Sequence, residues 1–106
     1  MLDHFSSHQF KDTDGNPAGG HTFGRGFAIA WQNGPLGRGD DRKDPNGAFV
    51  ETIIAAARDR LDFYQQGKFN SDYNATAITH LDAALRALNQ RTIDREKRDV
   101  EGTHSL

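Results

Sequence analysis

The stretch Trp31-Gln32-Asn33-Gly34-Pro35-Leu36-Gly37-Arg38-Gly39-Asp40-Asp41-Arg42 holds the residue types and spacing best suited to chemistry, and that chemistry is the holding of a phosphate. Glycines let successive backbone N–H groups turn toward one point and form an anion nest. Arg38, set between Gly37 and Gly39, carries a planar guanidinium fork that matches phosphate oxygens in pairs. Arg25 is framed by Gly24 and Gly26 in the same manner, and Arg42 follows nearby. Asn46, after Pro45, reads as a helix start whose free N–H groups would favour the same anion. Trp31 could stack on a base, while Gln32, Asn33, Thr103 and His104 could read base or ribose edges. The candidate ligand-binding set is therefore Arg25, Trp31, Gln32, Asn33, Gly37, Arg38, Gly39, Arg42, Asn46, Thr103 and His104. The segment is not a P-loop, because the Lys-Ser/Thr ending is missing, and no third glycine completes a dinucleotide fingerprint. On local residues alone, the plainer reading is a Gly-rich connection with exposed arginines.

Other chemistry finds less support. His4 and His8 have the i, i+4 spacing of metal ligands on a helix, but they fall in a stretch without helical period. Asp12-Thr13-Asp14-Gly15-Asn16 has the start of a calcium loop with its glycine too early and no closing Glu, so it reads as a turn. His80 falls on a helix, where packing or solvent accounts for it, and Arg38-Gly39-Asp40 is a chance tripeptide. The absence of cysteine excludes disulfides, thiolate metal sites and cysteine nucleophiles. No paired carboxylates or nucleophile–base set stand out, so the sequence predicts a binding protein rather than an enzyme, with no cofactor and no metal.

Thirteen basic residues against fifteen acidic ones give a net charge of -2, which argues against a nucleic acid polymer as partner. No apolar run approaches the ~20 residues of a spanning helix, and the N-terminus lacks a signal-peptide pattern. The expected setting is cytoplasm, with no membrane partner.

The elements that must position these groups divide at Pro45. Eight of the eleven glycines and all three prolines precede it or coincide with it. Beyond it, Val50, Ile53, Ile54, Ala57, Leu61 and Tyr64 recur at three- and four-residue steps, predicting a helix from Asn46 to Gln66 closed by Gly67 in a left-handed cap. Ile78, Leu81, Leu85, Leu88 and Thr92 mark a second helix, begun by Ser71 or Asp72 and long enough to carry Arg91, Arg95, Lys97 and Arg98 past the start of the first. Upstream, Phe23–Gln32 reads as one strand with Phe23, Arg25, Phe27, Ile29 and Trp31 on one side. The expected fold class is α+β, mainly α: a long antiparallel helical hairpin preceded by a Gly-rich β-strand/loop head. It forms one domain over 1–106, with a loose arm at 1–18, strand and Gly/Arg loop at 19–45, hairpin at 46–98 and tail at 99–106. The many alanines leave little side chain for a monomeric core, so a homo-oligomer is expected.

Taken in order, Gly24-x-Gly26-Phe27-x-Ile29-x-Trp31-Gln32-Asn33-Gly34-Pro35-Leu36-Gly37-Arg38-Gly39, Pro45-Asn46-Gly47-Ala48-Phe49-Val50-Glu51, Arg60-Leu61-x-Phe63-Tyr64-Gln65 and Glu101-Gly102-Thr103-His104 resemble a family of small tailed-bacteriophage proteins. Some of its members carry a transporter-type ATPase label, which the missing P-loop contradicts. The resemblance implies a phage origin. Small phage proteins built on helical hairpins include sponges that bind the nucleotide signals of host defence without degrading them. A protein that sequesters a small phosphorylated ligand, such as a cyclic oligonucleotide or cyclic ADP-ribose, in the host cytoplasm is thus the first functional expectation. The alternative is a small phage protein that binds and inhibits or redirects a host protein, with the Gly-Ala strand face extending the partner's sheet.

Overall fold

The computed structural model describes residues 1–98, 102–104 and 106. It forms two compact units, one of residues 1–49 with residues 98–106, the other Val50–Lys97.

The first unit is a three-stranded antiparallel sheet in the order β1-β2-β3, with β1 Phe5–Lys11, β2 Pro17–Gly24 and β3 Phe27–Asn33. This corrects the expected fold class: the head is a sheet of three strands, not one Gly-rich strand with a loop. Residues 5–11 pair along β2 from Phe5↔Gly24 to Lys11↔Pro17, where a loose arm was expected. The stretch Phe23–Gln32 is broken by a two-residue turn at Arg25-Gly26, and β2 and β3 fold back on each other from Gly24↔Phe27. Phe23 consequently pairs with Ala28 and lies on the face opposite Phe27, not beside it. One face carries His8, Phe10, His21 and Phe23 over Ala28 and Ala30. The other carries the Phe5–Phe27 ring pair and Thr22, which accepts a hydrogen bond from Trp31 Nε1 at 2.8 Å and shares one with Ser7 Oγ at 2.9 Å. Thr22 is the one buried polar residue among those described, and the need to satisfy the indole N–H explains a hydroxyl there.

After β3 the chain loops through a short 3-10 turn at Gly39–Asp41 and returns to lie parallel beside β3 at Ala48. The first helix, α1, begins at Val50 and ends at Gln65, so Asn46 lies outside it. The second, α2, runs Asp72–Lys97, with Ser71 Oγ accepting from Asn74 N at 3.0 Å as its cap. Gln65 turns its carboxamide onto the backbone of Ser71, accepting from Ser71 N at 2.9 Å and donating to Ser71 O at 3.0 Å. That pairing closes the connection, and Gly67 does not adopt the left-handed conformation expected of it. Arg58 pairs with Asp82 at 2.6 Å and Arg91 with Glu51 at 3.2 Å across the helices, which fixes their antiparallel register. Ile53, Ile54, Leu61, Ile78, Leu81, Leu85 and Leu88 are half-buried along the seam. Among the described residues no apolar side chain is buried, so neither unit owns a closed core.

Candidate functional site

The register gathers the loops of the first unit at one end of the sheet. Lys11, Pro17, Ala18 and Asn33 are partners there, while Gly24 and Phe27 mark the opposite end. The Asp12–Asn16 turn, the exit from β3 and the segment returning at Ala48 therefore share one edge.

The base of the Gly/Arg loop is held by amides. Gln32 N donates to Ala48 O at 3.0 Å and Ala48 N to Ala30 O at 2.8 Å. One step further, the Asn46 side chain takes over: its Oδ1 accepts from Asn33 N at 2.8 Å and its Nδ2 donates to Asn33 O at 3.0 Å. Asn46 N donates to Gln32 Oε1 at 2.9 Å, and Gln32 Nε2 donates to Gly34 O at 3.1 Å. Between Asn46 and Ala48 the approach is so close that a Cβ on Gly47 would lie 2.6 Å from Trp31 O. Only glycine fits there.

Above that base, Lys43 N donates to Leu36 O at 2.7 Å and Asp41 N to Arg38 O at 3.1 Å, winding Gly37, Arg38, Gly39 and Arg42 into a compact turn. Gly37 has φ 84, open to glycine alone without strain, and its N–H donates to Gly102 O at 2.8 Å. A Cβ on Gly102 would collide with Gly37 O. The tail thus crosses the Gly/Arg loop backbone to backbone, and Thr103 and His104 follow directly. Arg38, Arg42 and Thr103 all have interaction partners of their own. Glu101, part of the tail motif, lies outside the described residues. The Asp12 carboxyl is held below the usual carboxylate range, chiefly by the backbone N–H of Asn16, with that of Asp14 and the charge of nearby His104 adding to it.

Of the predicted set, Gly37, Arg38, Gly39, Arg42, Gln32, Asn33 and Asn46 therefore share this end with the tail at Gly102, and Trp31 stands two residues inside it on β3. Arg25 does not. It sits at the tip of the β2–β3 turn, paired with Asp3 at 3.1 Å, about 20 Å away along β3 at ~3.3 Å per residue. Gly47 and Gly102 stood in the sequence motifs but not in the predicted set. Their signal is a backbone approach between segments far apart in the chain, which no local pattern displays.

Residues 25–92 match the model of the Acb2/Tad1 hairpin domain. The chain belongs to that family. It is also 42% identical over 81 residues to Thoeris anti-defense 1 of Bacillus phage SBSphiJ7, an alignment that covers 76% of this chain and 54% of that protein. The chain thus spans about half the length of this Acb2/Tad1 relative. The resemblance to a phage family drawn from the motifs is borne out, and the family is one of phage anti-defence proteins. The matched span takes in the Gly/Arg loop, the amide-held base, α1 and α2 as far as Thr92, and it stops short of the tail. Among the described residues no helix is long and apolar enough to cross a membrane.

Proposed function

We propose that this Acb2/Tad1-family chain sequesters a nucleotide immune signal of the cyclic oligonucleotide or cyclic ADP-ribose type, and so counters host defence without turning the signal over. The observation that carries the reading is the compact Gly37–Arg42 turn, which gathers two arginines and two glycines at the sheet end where the tail crosses. Anion binding there would draw on Gly37 and Gly39 for backbone access and on Arg38 and Arg42 for charge. In this reading Trp31, Thr103 and His104 would contact a base or ribose, with Gln32, Asn33 and Asn46 supporting the loop beneath. Arg25 joins such a site only when supplied by a second chain. Homo-oligomers fit the lack of any buried apolar side chain among the described residues, since both the sheet and the helix seam need a second layer. The relative's name, Thoeris anti-defense 1, supports a defence signal as the ligand and the host cytoplasm as the place of action.

Calorimetric titration with cyclic di- and trinucleotides and cyclic ADP-ribose isomers tests the reading. One ligand class binds, and Arg38→Ala weakens it by about 1.5–3 kcal/mol through loss of a charge-assisted pair. Stoichiometric capture of a host protein, unaltered in Arg38→Ala and without ligand binding, favours the inhibitor reading instead.

A further inference from the structure

We infer that Asn46 is a positioning residue: its carboxamide stands in for a peptide unit and fastens the base of the Gly/Arg loop, residues 34–45, onto β3. The loop's role as an anion site rests on the function proposed above; the fastening does not. The geometry carries it. A strand neighbour gives β3 one acceptor and one donor per paired residue, and Ala48 does this with its backbone toward Ala30 and Gln32. At Asn33, the partner of Ala18 in β2, Asn46 supplies both functions from one side chain, Oδ1 to the N–H and Nδ2 to the C=O. The backbone partners also fix which end of the amide is which. Asn46 N is in turn taken by Gln32 Oε1, so both ends of the loop are tied within one residue of each other. The orientation of the Asn46 amide is set by Asn33, which leaves one N–H and one lone pair of the amide beyond this pairing. Its effect on the ligand runs through the arms of the loop, where Gly37, Arg38 and Arg42 sit.

The isostere Asn46→Asp separates this from a general structural role. Near neutral pH the carboxylate still accepts from Asn33 N, but its second oxygen faces Asn33 O with no proton between them. That repulsion loosens the loop and raises the carboxyl pKa. Near pH 4 the protonated acid restores the donor and with it the amide's pattern. Hydrogen exchange of the amides in residues 35–44, in ligand-free protein and relative to wild type at each pH, reads the loop directly. Asn46→Asp exchanges about tenfold faster near pH 7 and returns to within about threefold near pH 4, whereas Asn46→Ala stays fast at both. Gln32→Ala, which removes only the acceptor for Asn46 N, loosens the same amides by about threefold. Titrations with cyclic ADP-ribose and with cyclic di-AMP then follow the exchange, with affinity lost and recovered in step. Wild-type exchange in Asn46→Asp near pH 7, or loosening that acid does not reverse, overturns the inference. So does unchanged affinity in a loosened variant. If wild type binds neither probe, that failure falls on the proposed function, and exchange alone decides whether Asn46 fastens the loop.

Discussion

The sheet unit and the helix pair solve the same closure problem with the same device and differ in everything around it. In the helix pair, Gln65 folds its amide onto Ser71, six residues away, and stops a chain that is already turning. In the sheet unit, Asn46 reaches Asn33 across thirteen residues and holds a loop that carries the charged groups. The helices have room at their turn: a Cβ on Gly67 meets nothing closer than Tyr64 O at 3.8 Å. The sheet end has none at Gly47. Precision is therefore concentrated where long-range contacts position the proposed anion-binding groups, while the helix pair relies on repetition along a seam.

That contrast can be broken at its two glycines. Gly47→Ala forces a methyl group against the backbone of Trp31 and Gln32, and should cost about 3 kcal/mol or release the segment from β3. Urea unfolding followed by the emission of Trp31, the only tryptophan, reads this loss. Gly67→Ala meets only ordinary contact and restricts the unfolded chain, so the same measurement by circular dichroism should show a gain of about 0.4–1 kcal/mol. Equal losses at both sites would erase the distinction between the units.

A smaller effect sharpens the contrast electrostatically. The Arg58 guanidinium, by hydrogen bond and charge, holds the Asp82 carboxyl below its usual 3.8. A carboxyl depressed in the folded state stabilises it above the unfolded pKa, and that stability is lost as the pH falls through the folded pKa. The helix signal should weaken on acidification below about pH 4, and Asp82→Asn should be less stable near neutrality but flatter in that window.

The helices were legible because their information is local: Ile53, Ile54 and Leu61, and Ile78, Leu81 and Leu85, repeat at helical spacing within about two turns. The start of α1 was misplaced at Asn46 because an Asn after Pro looks like a cap, whereas pairing with Asn33 commits it to β3. The sheet escaped for a similar reason. In Phe5–Lys11, Ser6, Ser7, His8 and Gln9 interrupt any apolar alternation, and the register comes from β2. Gly24-Arg25-Gly26 reads as a phosphate-binding bracket but serves as a hairpin turn. The Gly37–Arg42 turn was visible as a candidate site; its floor at Asn46 and Gly47 and its crossing by Gly102 depend on contacts between distant segments.

A protein that holds a nucleotide signal without turning it over carries that signal intact through purification. The most direct measurement purifies the protein from cells making the defence signal, denatures it by heat and identifies the released small molecules by mass spectrometry. Wild type should release an unmodified cyclic nucleotide or cyclic ADP-ribose species in fixed proportion to protein, with far less from Arg38→Ala. An empty wild-type protein, or one that releases only cleaved products, would contradict the proposed function.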